Sequence, residues 1–156
     1  MTADSHSNLI NYEHFSIPCL CALNYQDPLC GKPEINARDL DNKPMAALYE
    51  DHSTRQQTEV AFSQAQADFN ICFQAQYFIP LLTFVERGRA SAVIDSLSAM
   101  SYQLYRGNNP DIVFRPFLPR IELNTAIMLP SQRPPSMLAA EFRDFIRTRL
   151  QALIKN

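Results

Sequence analysis

From Ile17 onward the apolar residues gather into short runs, each followed by a polar stretch or by a proline or glycine. "IPCLCAL" (17–23) is an apolar run of strand length, and its alternation places Cys19 and Cys21 on one face. A loop rich in Asp, Asn, Pro and Gly follows, "NYQDPLCGKPEINARDLDNKP", before a second strand, "MAALY" (45–49). "EDHSTRQQTEVAFSQAQ" then opens a helix, with Ser53 as the expected N-cap and Gln56 at capping-box distance. "DFNICFQA" alternates, Phe69, Ile71 and Phe73 on one face and Asn70, Cys72 and Gln74 on the other. "QYFIPLLTFVERG" reads as a helix in which Pro80 is tolerated only in or near the first turn, and Gly88 is placed to end it. "ASAVID" is a buried strand, "SLSAMSYQLYRG" a helix ended by Gly107, and "DIVFRPF" another strand. The order strand, helix, strand, helix, strand, helix, strand predicts an α/β lobe of right-handed β-α-β units around a mostly parallel sheet.

The remainder has a different grammar. "IELNTAIMLP" (121–130) is one more strand; Pro134 and Pro135 interrupt the chain, and Ser136 is placed to cap a helix. Its apolar positions Leu138, Phe142, Phe145, Ile146, Leu150 and Leu153 recur at steps of three and four, which predicts a single buried stripe. Burying such a stripe stabilises by roughly 1.5–3 kcal/mol per large side chain. The helix therefore needs a sheet to lie on. One strand and one helix do not make a lobe, and residues 1–15, polar and weakly patterned, are too few to complete it.

Composition narrows the function. Fourteen basic residues are scattered through a 156-residue chain of formal charge −2, which argues against autonomous nucleic-acid binding, since that needs clustered Lys and Arg. Arg143, Arg147 and Arg149 form the one local group, and a solvated helix face accounts for them. No apolar run approaches the ~20 residues of a membrane span, and the first residues lack the basic and apolar segments of a signal peptide. A cytoplasmic location is expected. Cys19, Cys21, Cys30 and Cys72 lack the spacing of a zinc site and read as reduced, partly buried thiols.

The ordered series of segments resembles the effector-binding region of LysR-type transcriptional regulators along nearly the whole chain. "CALNYQDPLCGKPEINARDLDNKPMAALY" is similar to the family's crossover strand and its His-Pro-Leu-Ala-like loop, with Asp27 in the histidine's place and Cys30 in the alanine's. "LLTFVERGRASAVIDSLSA" resembles the family's Leu-Val-x-x-Gly-x-Gly segment, with Ala90 where the second glycine stands. "VFRPFLPRIELNTAIMLPSQRPPSMLAAEFRDFI" is similar to its last strand, basic-proline turn and closing helix.

The resemblance implies a periplasmic-binding-protein-like (type 2) α/β fold: one complete Rossmann-like lobe plus the C-terminal strand and helix of an incomplete one. On that reading residues 1–16 are a remnant of the first lobe and crossover, 17–120 the complete second lobe, and 121–156 the return strand and closing helix. The rest of the first lobe, and the winged helix-turn-helix that would contact DNA, would lie outside this chain. A small-molecule effector, no cofactor, no membrane and a homo-oligomeric full-length protein are what the family implies. Within it, "VIDSLSA", "RPF" and "RPPSMLAAEF" resemble the branch that senses lysine-pathway amino acids and arginine-derived opines, so an amino acid or amino-acid derivative is the expected effector.

Open α/β sheets place ligands at the carboxyl ends of strands, beside helix N-termini whose free N–H groups attract anions. Two starts qualify: His52, Ser53 and Thr54, which the resemblance also places at effector contacts, and Gln76, Tyr77 and Phe78. For Ser53 a plain capping role is the competing reading, and for Tyr77 and Phe78 a core role. Glu122, Asn124 and Thr125 would lie where the resemblance puts the interlobe cleft, with Glu122 able to pair with a ligand amine or to remain a solvated strand-end carboxylate.

Two other classes compete. An enzyme finds candidates in His6, His14, His52, Ser53, Cys72 and Asp95, yet there is no Gly-x-Ser-x-Gly elbow, phosphate-cradling glycine loop or His-x-x-x-His pair. Asp95 and Ser96 are equally well read as a strand-end cap. A solute-binding protein of the same architecture would need an export signal, which the first residues do not offer.

Overall fold

The computed structural model describes residues 10–155. The chain divides into two compact units, residues 18–123 and residues 1–17 with 124–156.

The larger unit is α/β. Its strands are β1 (Ile10–Asn24), β2 (Ile35–Asn36), β3 (Met45–Leu48), β4 (Ile71–Ala75), β5 (Ala92–Asp95), β6 (Ile112–Leu118) and β7 (Glu122–Pro130), the first and last of which also run into the other unit. Its helices are α1 (Ser53–Gln64), α2 (Phe78–Glu86) and α3 (Ser96–Arg106). Along β1, Phe15, Ile17, Cys19, Cys21 and Leu23 are buried at every second position, and Ala22 is buried on the opposite face in a second cluster. That strand begins seven residues before the run that predicted it, because Tyr12 and His14 alternate in register but face solvent and carry no hydrophobic signal.

β2 to β6 all run in one direction, the mostly parallel arrangement expected, and β1 is opposed to them. β1 lies between β5 and β6 and pairs antiparallel with both, Leu20 facing Ile94 on one side and Pro116 on the other. β5 and β6 therefore run parallel to each other. The β5-α3-β6 unit is the crossover that the pattern predicted, with β1 inserted between its strands. Local patterning does not record such an insertion. β3 and β4 pair in parallel, a parallel bridge sets Met45 opposite Ser91 just ahead of β5, and the two-residue β2, missed within the loop, pairs in parallel with β6.

Two apolar clusters lie in this unit. One gathers Leu23, Ile35, Leu40, Met45, Phe62 and Phe117 beneath α1; the other gathers Leu81, Leu82, Val85, Ile94 and Tyr102 beneath α2 and α3. Pro80 occupies the third position of α2, where its missing N–H costs nothing. Gly88, just past that helix, and Gly107, capping α3, have φ of 66° and 67°, the left-handed conformation for which glycine was expected at both places.

In the smaller unit α4 (Met137–Lys155) starts at Ser136, whose Oγ accepts from Ala139 N at 3.2 Å, as its sequence position predicts. Arg147 ties the helix to β1 through Glu13, Nε to Oε2 at 2.6 Å. The single buried stripe is not found. Leu150 is 8% exposed, but Leu138, Phe142 and Phe145 are 76%, 62% and 57% exposed. Periodicity fixes which residues share a face of a helix, and says nothing of what covers that face.

Candidate functional site

The parallel pair β3–β4 ends with its carboxyl termini side by side, Leu48 opposite Ala75. Each strand leads directly into a helix: β3 through Tyr49–Asp51 into α1, and β4 through Gln76 and Tyr77 into α2. The loops converge, with His52 Nε2 and Gln76 Nε2 at 3.5 Å, although 24 residues separate them in sequence. The residue pair that periodicity places on different elements is thus in contact.

Neither helix start is closed by a side chain. His52, not Ser53, is the N-cap of α1, and it makes no side-chain capping bond; the expected capping box does not form. Gln56, the box's other half, turns away and donates from Nε2 to Glu50 O at 2.9 Å. Tyr77 caps α2, likewise with no side-chain bond. Two sets of first-turn N–H groups are therefore left without side-chain acceptors, and such groups carry the positive end of the helix dipole. Ser53 is exposed and half-buried His52 is beside it, whereas Thr54 is buried at 4% exposure and faces inward. Tyr77 is 71% exposed and Phe78 is half-buried, packed against the α2–α3 cluster.

Arg55 fixes this end of the sheet. Its side chain is 4% exposed; Nη1 donates to Leu48 O at 3.1 Å, Nε and Nη2 donate to Glu59 Oε1, and the guanidinium lies 5.3 Å over the Phe69 ring. Sequence reasoning missed it. The signal was an arginine two residues into a helix with a glutamate one turn later, a pattern that ordinarily marks a solvated face.

The third group of candidates opens β7. Glu122, in the larger unit, accepts from Arg120 Nε at 2.6 Å, and its backbone exchanges bonds with the Gln57 amide at 2.9 and 3.3 Å. In the smaller unit Asn124 Oδ1 accepts from Ser16 Oγ at 3.0 Å, and Thr125 is half-buried on β7.

The residues that suggested catalysis do not assemble among the described residues. Asp95 caps α3, Oδ1 accepting from Ser98 N and Oδ2 from Ser98 Oγ, each at 2.8 Å. Cys72 is exposed on β4. His14 stacks edge-on to Tyr12 in the smaller unit. His6 lies outside the described residues. Burial lifts the Cys19 thiol to about 12, with Asp95 adding to the effect, so it is held protonated at neutral pH.

No helix among the described residues is long and apolar enough to cross a membrane. Regulatory protein NocR of Agrobacterium tumefaciens (strain T37) is 28% identical over 138 residues, 88% of this chain and 44% of its own length. Among solved structures, HinK, a LysR family transcriptional regulator from Pseudomonas aeruginosa, superposes with a TM-score of 0.65 at 15% identity, covering 96% of this chain and 51% of HinK. The CcmR regulatory domain of Synechocystis, solved with 2-PG, gives 0.66 at 15% identity over 100% of this chain and 72% of that one. These likenesses give the fold, that of the periplasmic-binding-protein-like (type 2) effector domains; the chain spans about half the length of the relatives named first. One family's sequence model, the LysR substrate binding domain, matches residues 2–151, and the chain belongs to that family.

Proposed function

We propose that this chain is the effector-sensing part of a DNA-binding regulator and that its larger unit takes an amino acid or amino-acid derivative at the β3–β4 end. The observation that supports this most is the contact of His52 with Gln76 between two helix starts with uncapped N–H groups. Such a place suits a carboxylate: the N–H groups of α1 and α2 and the Ser53 hydroxyl supply donors, and Tyr77 and Phe78 supply an apolar wall. The preference for an amino-acid effector rests on the sequence resemblance to the lysine- and opine-sensing branch. Glu122, already paired with Arg120, would have to exchange that partner to receive a ligand amine. Asn124 and Thr125 are proposed as further effector contacts on the sequence resemblance alone. Residues 1–16, 17–120 and 121–156 are the proposed lobe boundaries. DNA contact and homo-oligomerisation are proposed for the full-length regulator.

Thermal unfolding of the chain with lysine, arginine, an N-carboxyalkyl arginine or benzoate tests the reading. A ligand at a hundred times its dissociation constant adds ~2.7 kcal/mol to stability, and the Ser53→Ala and His52→Ala variants are expected to lose most of that gain. A shift with benzoate and none with any amino-acid compound would refute it.

A further inference from the structure

A pocket of about 360 Å³ lies at the other end of the same strands. Lys43 and Pro44 immediately precede β3, Arg89 and Ala90 precede β5, and Asn24 closes β1, so its walls come from the ends of β3 and β5 opposite to those carrying His52 and Asp95. Two of the places where the sequence departs from its family's motifs, Asp27 and Ala90, line this one pocket. Between Gly88 and Ala90 stands Arg89.

The charges there are unbalanced. Asp27 Oδ1 already accepts from Leu29 N at 2.9 Å and faces Lys43 Nζ at 3.5 Å, a long ion pair. Among the described residues the Arg89 side chain makes no hydrogen bond or ion pair. In the same unit Arg55, Arg106 and Arg115 are each held by carboxylate or carbonyl oxygens. The backbone carrying Arg89 is nonetheless fixed. Arg89 N donates to Phe84 O at 3.0 Å and Ser91 N to Pro44 O at 2.9 Å. Asn24 Nδ2 donates to Glu86 O at 2.8 Å, and Gly88 turns the chain in the left-handed conformation beside that amide. An unpaired guanidinium on a fixed backbone, lining a pocket that a lysine also lines, offers an anion its planar fork without reordering of the main chain.

We propose that this pocket binds a small oxyanion, a carboxylate or a phosphate, between Arg89 and Lys43, independently of the effector site. The guanidinium fork would take two oxygens side by side, and Lys43 would turn from its long contact with Asp27 to a third.

The test titrates the ¹⁵N-labelled chain with inorganic phosphate and, separately, with succinate, chloride holding ionic strength constant. Saturable amide shifts at Lys43 and Gly88–Ser91 are expected with at least one of them, and which one saturates assigns phosphate or carboxylate. Arg89→Gln and Lys43→Gln should each weaken binding about tenfold or more, while His52→Ala leaves it unchanged. Arg89 is exposed, so its replacement should preserve the dispersion of the spectrum; the shift map of the unaltered chain stands without any variant. No saturable shift at these amides with either anion, binding by Arg89→Gln equal to that of the parent, or loss of binding in His52→Ala would each overturn the proposal.

Discussion

Replacing Arg55 by methionine separates what its charge does from what its stem does. The side chain is almost wholly buried and makes three kinds of contact: with Leu48 O, with Glu59 and with the Phe69 ring. Methionine keeps most of the buried stem and removes the guanidinium. The charged hydrogen bond to the Leu48 carbonyl is worth about 1.5–3 kcal/mol, because a half-buried acceptor is left without a partner. The cation–π contact adds roughly 0.5–1 kcal/mol. Glu59's side chain is 46% exposed, so water replaces its partner and that pair adds only about 0.3–0.5 kcal/mol. The expected loss is therefore about 2.3–4.5 kcal/mol, read as a lower urea midpoint at unchanged slope. Glu59→Gln, which touches only the solvated pair, should cost about 0.5 kcal/mol or less. A parent-like midpoint for Arg55→Met, or an equal loss in the two variants, would show that the Leu48 carbonyl is not what Arg55 holds.

Tyr102→Phe should cost about 1.5–3 kcal/mol, since the buried phenol donates to Glu86 Oε2 at 2.6 Å and leaves a carboxylate oxygen unpaired. That bond, with help from Arg106, holds the Glu86 carboxyl below its ordinary value; its stabilisation is present above the unfolded pKa and lost as pH falls through the lowered folded one. Acid unfolding of Tyr102→Phe should accordingly lose part of its dependence on pH below that ordinary value, and an unchanged profile would refute the assignment. In native buffer an alkylating reagent should mark Cys72, which is exposed, and spare Cys21, whose thiol burial pushes far up; a modified Cys21 peptide before unfolding would contradict this. Leu150→Ala should destabilise by about 2–3 kcal/mol while Phe142→Ala stays within about 0.5 kcal/mol, and equal losses in thermal melts would mean that Phe142 is covered.

The elements were legible where a local rule sets them. Gly88 and Gly107 end their helices because few other residues adopt a left-handed φ, and Ser136 starts α4 because its hydroxyl reaches Ala139 N. The insertion of β1 between β5 and β6 was not legible, since each strand's alternation is the same whichever neighbour it takes. Ser53 illustrates the resolution of a capping rule: the helix start was placed within one residue, but the cap is His52 and no side chain makes the capping bond.

The same limits explain the candidate site. Two helix starts after two strands can be read from the chain, and their meeting cannot, because it follows from the parallel register of β3 with β4 and no residue announces a register. Once Leu48 stands opposite Ala75, His52 and Gln76 must approach one another, as each follows its strand by only a few residues. The element that fixes this geometry is Arg55, which clamps the last carbonyl of β3 from inside α1. A ligand that drew on the N–H groups of both helices would be sensitive to that clamp without touching it. Arg55→Met should therefore weaken any effector found at His52 by more than its distance from the ligand suggests, and a variant that unfolds more easily yet binds with the parent's affinity would sever the two.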